Sequence, residues 1–224
     1  MLVVDGLGGL PNPVSRRSEL EAANTPNLDR LAGQSACGLT TPVLPGVTPG
    51  SGPGHLALFG YDPVKYLVGR GVLEALGIGV AVGPGDVAIR GNLCTVDGDG
   101  RITDRRAGRI DSAESIPLCA ALDGIQVDGA DLSVYSVRDY RFALVLRGEG
   151  LSDRVSETDP LVEEALPLEA RALAPEAAAT ARAVNQFVAE AKGVLGGNAR
   201  ANMLTLRGFS SLPSLPSMAE RYRL

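Results

Sequence analysis

Tryptophan is absent from this 224-residue chain, and histidine occurs once, as His55. Two-metal hydrolytic and transfer sites commonly mix carboxylates with several imidazoles, so such a mixed site cannot be assembled from this sequence alone. Cysteine is scarce too. Cys37, Cys94 and Cys119 are odd in number and widely spaced, which gives neither a disulfide framework nor a zinc-knuckle spacing and fits a reducing cytoplasm. Long apolar runs are missing. The opening Met1 to Val4 stretch reaches Asp5-Gly6 after four residues, too few for a signal-peptide apolar region, and no later stretch is long enough to span a bilayer. A soluble, cytoplasmic protein is the expectation. An excess of basic charge is lacking as well: 21 Lys and Arg stand against 26 Asp and Glu, a formal charge of -5, which argues against nucleic acid or an anionic membrane as partner. A small anion gripped by a local arginine cluster stays compatible with an acidic protein.

What is present is enough apolar material for a core. At 45% hydrophobic residues the chain can hold one large domain or two small ones. Leu2 to Val4 is apolar and β-prone and ends at Asp5-Gly6, as a buried parallel strand does when it delivers a carboxylate to the carboxyl edge of a sheet. Thr25-Pro26 reads as an N-cap followed by proline at the first helical position, with Leu28, Leu31 and Ala32 on one face. The run TPVLPGVTPGSGPG, Thr41 to Gly54, is too rich in proline and glycine for a regular element and leads into a helix near Ser51. A helix start there would gather backbone N–H groups and a positive dipole end, a setting that favours a phosphorylated hydroxyl.

From about Gly85 to Pro160 the pattern changes to short β-prone runs: Val87 to Arg90, Leu93 to Val96, Arg101 to Thr103, Ser133 to Val137 and Phe142 to Leu146. With a helix over Ala113 to Leu122 they predict a small α+β insertion. Pro175 to Leu195 predicts a strong helix, and Ala201 to Leu206 a strand that returns to the first layer. Ser217 to Leu224 opens a short helix. Only about two convincing strands are left for a main sheet that usually has four to six, so the first layer reads as unfinished.

In order along the chain stand VVDGLGG (Val3 to Gly9), EAANTPNLDRLA (Glu21 to Ala32), PGSGPGHLALFGYDP (Pro49 to Pro63), GRGVLEALGIG (Gly69 to Gly79), DRRAGRI (Asp104 to Ile110), VLRGEGLSDRVSETDP (Val145 to Pro160) and ANMLTLRGFSSLPSLPSMAERY (Ala201 to Tyr222). Together they resemble the archaeal-type cofactor-independent phosphoglycerate mutases of the alkaline phosphatase superfamily, over essentially the whole chain. The resemblance implies an α/β fold: an alkaline-phosphatase-like core, incomplete here, over residues 1–84 and 161–224, interrupted by a smaller α+β domain over 85–160. It implies interconversion of 3- and 2-phosphoglycerate without 2,3-bisphosphoglycerate, through a phosphoserine, with two divalent ions such as manganese, zinc or magnesium. Residue by residue, Asp5 matches a metal-binding aspartate, and Ser51 matches the phosphorylated serine, which also touches metal. The further aspartates and histidines of the metal sites belong to a part that family members carry beyond the equivalent of Leu224. Where the family usually has histidines, this chain has Tyr140 and Leu161.

Other residues admit two readings. Asp5 in a lone Asp-Gly would cap a turn, and Ser51 in a Pro/Gly loop would be a solvated turn residue with no local base; the resemblance reverses both. His55 lies four residues after Ser51 and reads as packing or a hydrogen bond near the phosphoserine. Arg105, Arg106 and Arg109 are either a solvated charge run or guanidinium forks for carboxylate and phosphate. Arg147, Asp153 and Arg154 are read as substrate contacts at a domain cleft or as an interdomain salt bridge, and Arg207 as a phosphate ligand or a structural charge. No Walker or Rossmann pattern is present, so nucleotide binding is not expected. The expected partner is phosphoglycerate, with homo-oligomerisation left open. The alternatives are a paralogous phosphotransferase acting on another hydroxylated metabolite, as proposed for relatives called homoserine kinases, or a truncated chain inactive without its missing part.

Overall fold

The computed structural model of the chain describes residues 2–4 and 7–223, and for Ser51 the backbone only. Two compact units result, 1–41 and 42–224. The first holds two helices, α1 (Glu19–Ala22) and α2 (Pro26–Gly33). A capping box, in which Ser18 and Glu21 satisfy each other's backbone N–H groups, starts α1. Proline opens α2 as its sequence predicts, but the Thr25 hydroxyl turns to Asp29 Oδ1 at 3.0 Å instead of capping the backbone. The strand expected at Leu2 to Val4 does not form. These residues pair with no neighbour and are 88%, 53% and 52% exposed. The described part of unit 1 contains no other strand, and an extended segment without a ladder has nowhere to put its N–H and C=O groups except water.

Unit 42–224 is organised around one long strand. β1 (Val87–Val96) fuses the two short runs that the sequence suggested; it pairs antiparallel with β4 (Arg141–Arg147) and with β5 (Met203–Ser210), while β2 (Ile102–Asp104) joins its last residues and β3 (Asp131–Arg138) lies outside β4. Every described strand pairing is antiparallel. The segment expected to return to a first layer is therefore a strand of the small sheet. Leu204 and Leu206 explain why: they are fully buried on the face that also buries Val87, Ile89 and Leu93 of β1 and Phe142, Leu144 and Leu146 of β4.

Helices cover both faces. α5 (Ser112–Asp123), capped by Asp111, and α6 (Ala178–Leu195) pack on that apolar face. Val184, Phe187, Ala191 and Leu195 repeat at three- and four-residue intervals, which puts one stripe of α6 into the core. The opposite face, carrying Ala88, Ala143 and Val145, receives α4 (Arg70–Gly77) through Val72 and Ala75. The approach is close enough to demand glycine: a Cβ on Gly71 would lie 2.0 Å from the Ala88 carbonyl oxygen. α3 (Ser51–Leu58) precedes α4, and α7 (Met218–Tyr222) ends the unit, its Tyr222 hydroxyl donating to the Phe59 carbonyl at 2.6 Å. No helix among the described residues is long and apolar enough to cross a membrane.

Candidate functional site

The first helical residue of α3 is Ser51, preceded by Gly50 in extended conformation. Proline at position 53 does no harm there, because first-turn N–H groups have no intrahelical acceptor. A cavity of about 710 Å³ opens at this helix end, and its lining unites Gly50 and Gly52 with Arg70, Arg90 and Arg141. Arg70 is the first residue of α4, Arg90 lies mid-way along β1, and Arg141 begins β4. β5 is shaped to admit this arrangement. Gly208 takes a φ of +64, and a Cβ there would meet Arg70 Cβ at 2.7 Å.

The cavity lining carries three arginines against two glutamates, Glu74 and Glu157, an excess of one positive charge. Arg90 pairs with Glu74 at 3.2 Å, with only 16% of its side chain exposed. Burial pushes its pKa down, Glu74 opposes that, and the neighbouring charges of Arg207, Arg141 and Arg70 push further down. Arginine keeps its proton regardless. The consequence is a concentration of guanidinium charge beside a helix N-terminus, and both favour an anion.

A second cluster surrounds Asp159, whose side chain is 1% exposed. Arg105 holds it with two bonds, Nε to Oδ1 at 3.1 Å and Nη2 to Oδ2 at 2.8 Å; the Arg207 Nη1 stands 3.5 Å from Oδ2, and the Leu161 N–H donates to Oδ1 at 2.9 Å. Arg105 and Arg207 are thus occupied by a buried carboxylate that needs them. Leu161, where the resemblance implied histidine, is held by the same carboxylate with φ +65. Arg106 and Arg109 stay exposed on a left-handed turn, with Ala107, Gly108 and Arg109 at φ 50, 61 and 53. Asp104 secures that turn by accepting from the Arg106 and Gly108 N–H groups at 2.7 and 2.8 Å. The loop borders a separate polar hollow with Glu163.

The remaining residues singled out from sequence scatter. Arg147 contacts Ser133 Oγ at 3.1 Å and Asp86 at 3.6 Å, at the far end of β4 from Arg141. Six residues at about 3.4 Å each place it about 20 Å from Arg141 along the strand. Asp153 accepts from the Ser211 N–H at 2.8 Å, and Arg154 is exposed. His55 is exposed and lines an apolar groove with Leu56 and Phe59 instead of the basic cavity. Tyr140 stacks near the Arg141 guanidinium, 5.9 Å from ring centre. Asp5 lies outside the described residues, as does the Ser51 side chain. Among the described residues no three His, Cys, Asp or Glu side chains come together to hold a metal ion.

Sequence reasoning missed Arg70, Arg90 and Arg141. The signal was there in VAIRGNLC, where a charged and an amide residue interrupt a strand otherwise fit for full burial.

Residues 32–199 match the family model described as 2,3-bisphosphoglycerate-independent phosphoglycerate mutase. The chain belongs to this family. Among phosphoglycerate mutase relatives, it is 49% identical over 226 residues to a probable 2,3-bisphosphoglycerate-independent phosphoglycerate mutase of Thermus thermophilus, and 44% identical over 229 residues to one of Deinococcus radiodurans. In both comparisons the whole chain is covered but only 56% of the relative. The chain thus spans about half the length of the curated relatives it matches. Of solved structures, a cofactor-independent phosphoglycerate mutase of Thermoplasma acidophilum is 35% identical with a TM-score of 0.63, over 99% of this chain and 61% of that one. The PH0037 protein of Pyrococcus horikoshii is 27% identical with a TM-score of 0.76, over 98% and 53%.

Proposed function

We propose that this chain carries the phosphoryl-accepting half of a phosphoglycerate mutase, in which Ser51 takes the phosphate of 3-phosphoglycerate and returns it to the 2-hydroxyl of the same glycerate. The observation that carries the reading is the start of α3 at Ser51 on the rim of a cavity lined by Arg70, Arg90 and Arg141. In this reading the helix end and the guanidinium groups bind the phosphoryl oxygens and stabilise their charge through the transfer. The Ser51–phosphate bond forms as the ester bond to the glycerate 3-oxygen breaks, the serine proton passing in net to that oxygen; attack by the 2-hydroxyl then breaks the Ser51–phosphate bond, and its proton restores the serine hydroxyl. The family's pair of divalent ions would activate that oxygen, with Asp5 as one ligand and the remaining ligands supplied from outside the described residues.

The test uses a polypeptide of the relatives' length that contains this sequence. It should interconvert 3- and 2-phosphoglycerate without added 2,3-bisphosphoglycerate, retain label from ³²P-phosphoglycerate on Ser51, and stop turning over on chelation of metal or on Ser51→Ala. Turnover that survives Ser51→Ala would sink the reading. The 224-residue chain alone should show weak or no turnover. The departures at Tyr140 and Leu161 favour one competing reading, a phosphotransferase for another hydroxylated metabolite; a panel of phosphorylated metabolites separates the two, since a mutase should act on phosphoglycerate far ahead of the others.

A further inference from the structure

At the end of β5 opposite Gly208, a hollow of about 470 Å³ opens, where Val96, Met203, Leu166, Leu168 and the α6 residues Val188 and Ala189 give it apolar walls. It shares no residue with the basic cavity. Leu166 and Leu168 are 53% and 51% exposed. The backbone that carries them is nevertheless pinned: the Ile102 N–H donates to the Ala165 carbonyl at 2.9 Å, the Leu168 N–H donates to the Thr158 carbonyl at 2.8 Å, and the Asn185 amide exchanges two bonds of 2.9 Å with the Ala170 main chain. A fixed segment thus holds two large apolar side chains half in water. Single exposed leucines are ordinary, whereas leucines held rigidly beside an apolar hollow mark an interaction surface.

Charge around the hollow names the partner. Asp99, Glu169 and Lys192 also line it, and among the described residues none of the three forms an ion pair. Their signs are set apart. Asn185, Val188, Ala189 and Lys192 share one face of α6, and seven residues at about 1.5 Å each put Lys192 about 10 Å along the axis from Asn185, which bonds to the residue following Glu169. A cation at one end of an apolar stripe and an anion at the other form a surface that complements itself under a two-fold rotation. A partner of a single charge sign would meet a like charge at one end; a second copy of this chain meets none.

We infer that the hollow is an isologous interface between two copies of this chain: α6 crosses its two-fold mate near Val188 and Ala189, Leu168 of each copy fills the other's hollow, and Lys192 pairs with Glu169 of the partner subunit. Ala189, which ends at Cβ, lets the two helices approach closely. Association here does not depend on the phosphoryl chemistry, because the two cavities are built from different residues.

Sedimentation velocity of the 224-residue chain, and of a polypeptide of the relatives' length that contains it, tests this. Both should associate at least to dimers at micromolar concentration. Leu168→Arg, at a half-exposed position, should abolish this association and leave the circular dichroism spectrum unchanged. Lys192→Glu should raise the dimer Kd about tenfold or more by setting like charges opposite each other, and combining it with Glu169→Lys should restore the wild-type value. Monomers at high micromolar concentration, association indifferent to Leu168→Arg, or a double variant no tighter than Lys192→Glu would overturn the inference. So would a dimer of the short chain that disappears in the longer polypeptide, since the remaining residues of that polypeptide would then be what covers the hollow.

Discussion

Replacing Asp159 should be the most damaging single change to a charged residue in this chain. Its carboxylate is almost sealed from water and accepts two bonds from Arg105 and one from the Leu161 N–H, with Arg207 3.5 Å away. Asp159→Ala leaves two guanidinium groups facing each other around an empty pocket. Breaking a buried ion pair from one side costs about 3–5 kcal/mol. At about 2–4 °C per kcal/mol for a protein of this size, the melting temperature should fall by roughly 6–20 °C. Asp159→Asn keeps the shape and one acceptor and should cost roughly 1–3 kcal/mol. The pH dependence follows from the sign of the shift. Burial alone would raise the Asp159 pKa, but the hydrogen bonds from Arg105 and Leu161, with the charges of Arg105 and Arg207, outweigh it and hold the value below that of an ordinary aspartate. A carboxylate depressed in the folded state contributes in full above its unfolded pKa of about 3.9, and that contribution is lost as pH falls through the folded value. Differential scanning fluorimetry from pH 3 to 7 reads both effects. A melting temperature for Asp159→Ala within about 2 °C of wild type at pH 7 would refute the reasoning, since it would mean the buried charge was never needed.

Three further expectations can be checked alongside. Gly71→Ala places a methyl 2.0 Å from the Ala88 carbonyl and 2.5 Å from the Ile89 nitrogen, backbone that the β1 ladder holds in place, so the urea midpoint should drop by the equivalent of about 1–3 kcal/mol or more; an unchanged midpoint would show that α4 does not pack as described. Burial pushes the Cys94 thiol up to about 12, helped by Asp159 and Asp104, and the Cys119 thiol up to about 11, while Cys37 is exposed. Ellman's reagent at pH 8 should therefore find one fast thiol in the native chain and three after denaturation, and a second fast equivalent would contradict the sheet packing. Phe187→Ala, at a fully buried position facing the sheet, should cost about 3–5 kcal/mol in chemical denaturation, and a loss below about 1 kcal/mol would place α6 elsewhere.

Local order was legible in the residues themselves. Short β-prone runs located the strands of the sheet, although the Leu2 to Val4 run formed none, Thr25-Pro26 and the Pro/Gly run before Ser51 located two helix starts, and the Val184, Phe187, Val188 and Ala191 spacing pointed to the buried face of α6. These features arise from short-range sterics and side-chain periodicity, which neighbouring residues encode directly. Pairing is a different matter. Nothing in Met203 to Ser210 says that its partner is β1, more than a hundred residues earlier, instead of a strand near the N-terminus; that choice depended on which fully buried faces fit together.

The site followed the same division. Sequence located a serine at a helix start and several arginines, and it was the family resemblance, not their local surroundings, that made them candidates for the chemistry. Only the tertiary structure decided which arginines stand at the cavity: it placed Arg70, Arg90 and Arg141 there and bound Arg105 and Arg207 to Asp159. The physical reason is that a guanidinium group goes where an unpaired buried carboxylate or an open anion site requires it, and strand register, not chain position, brings the two together.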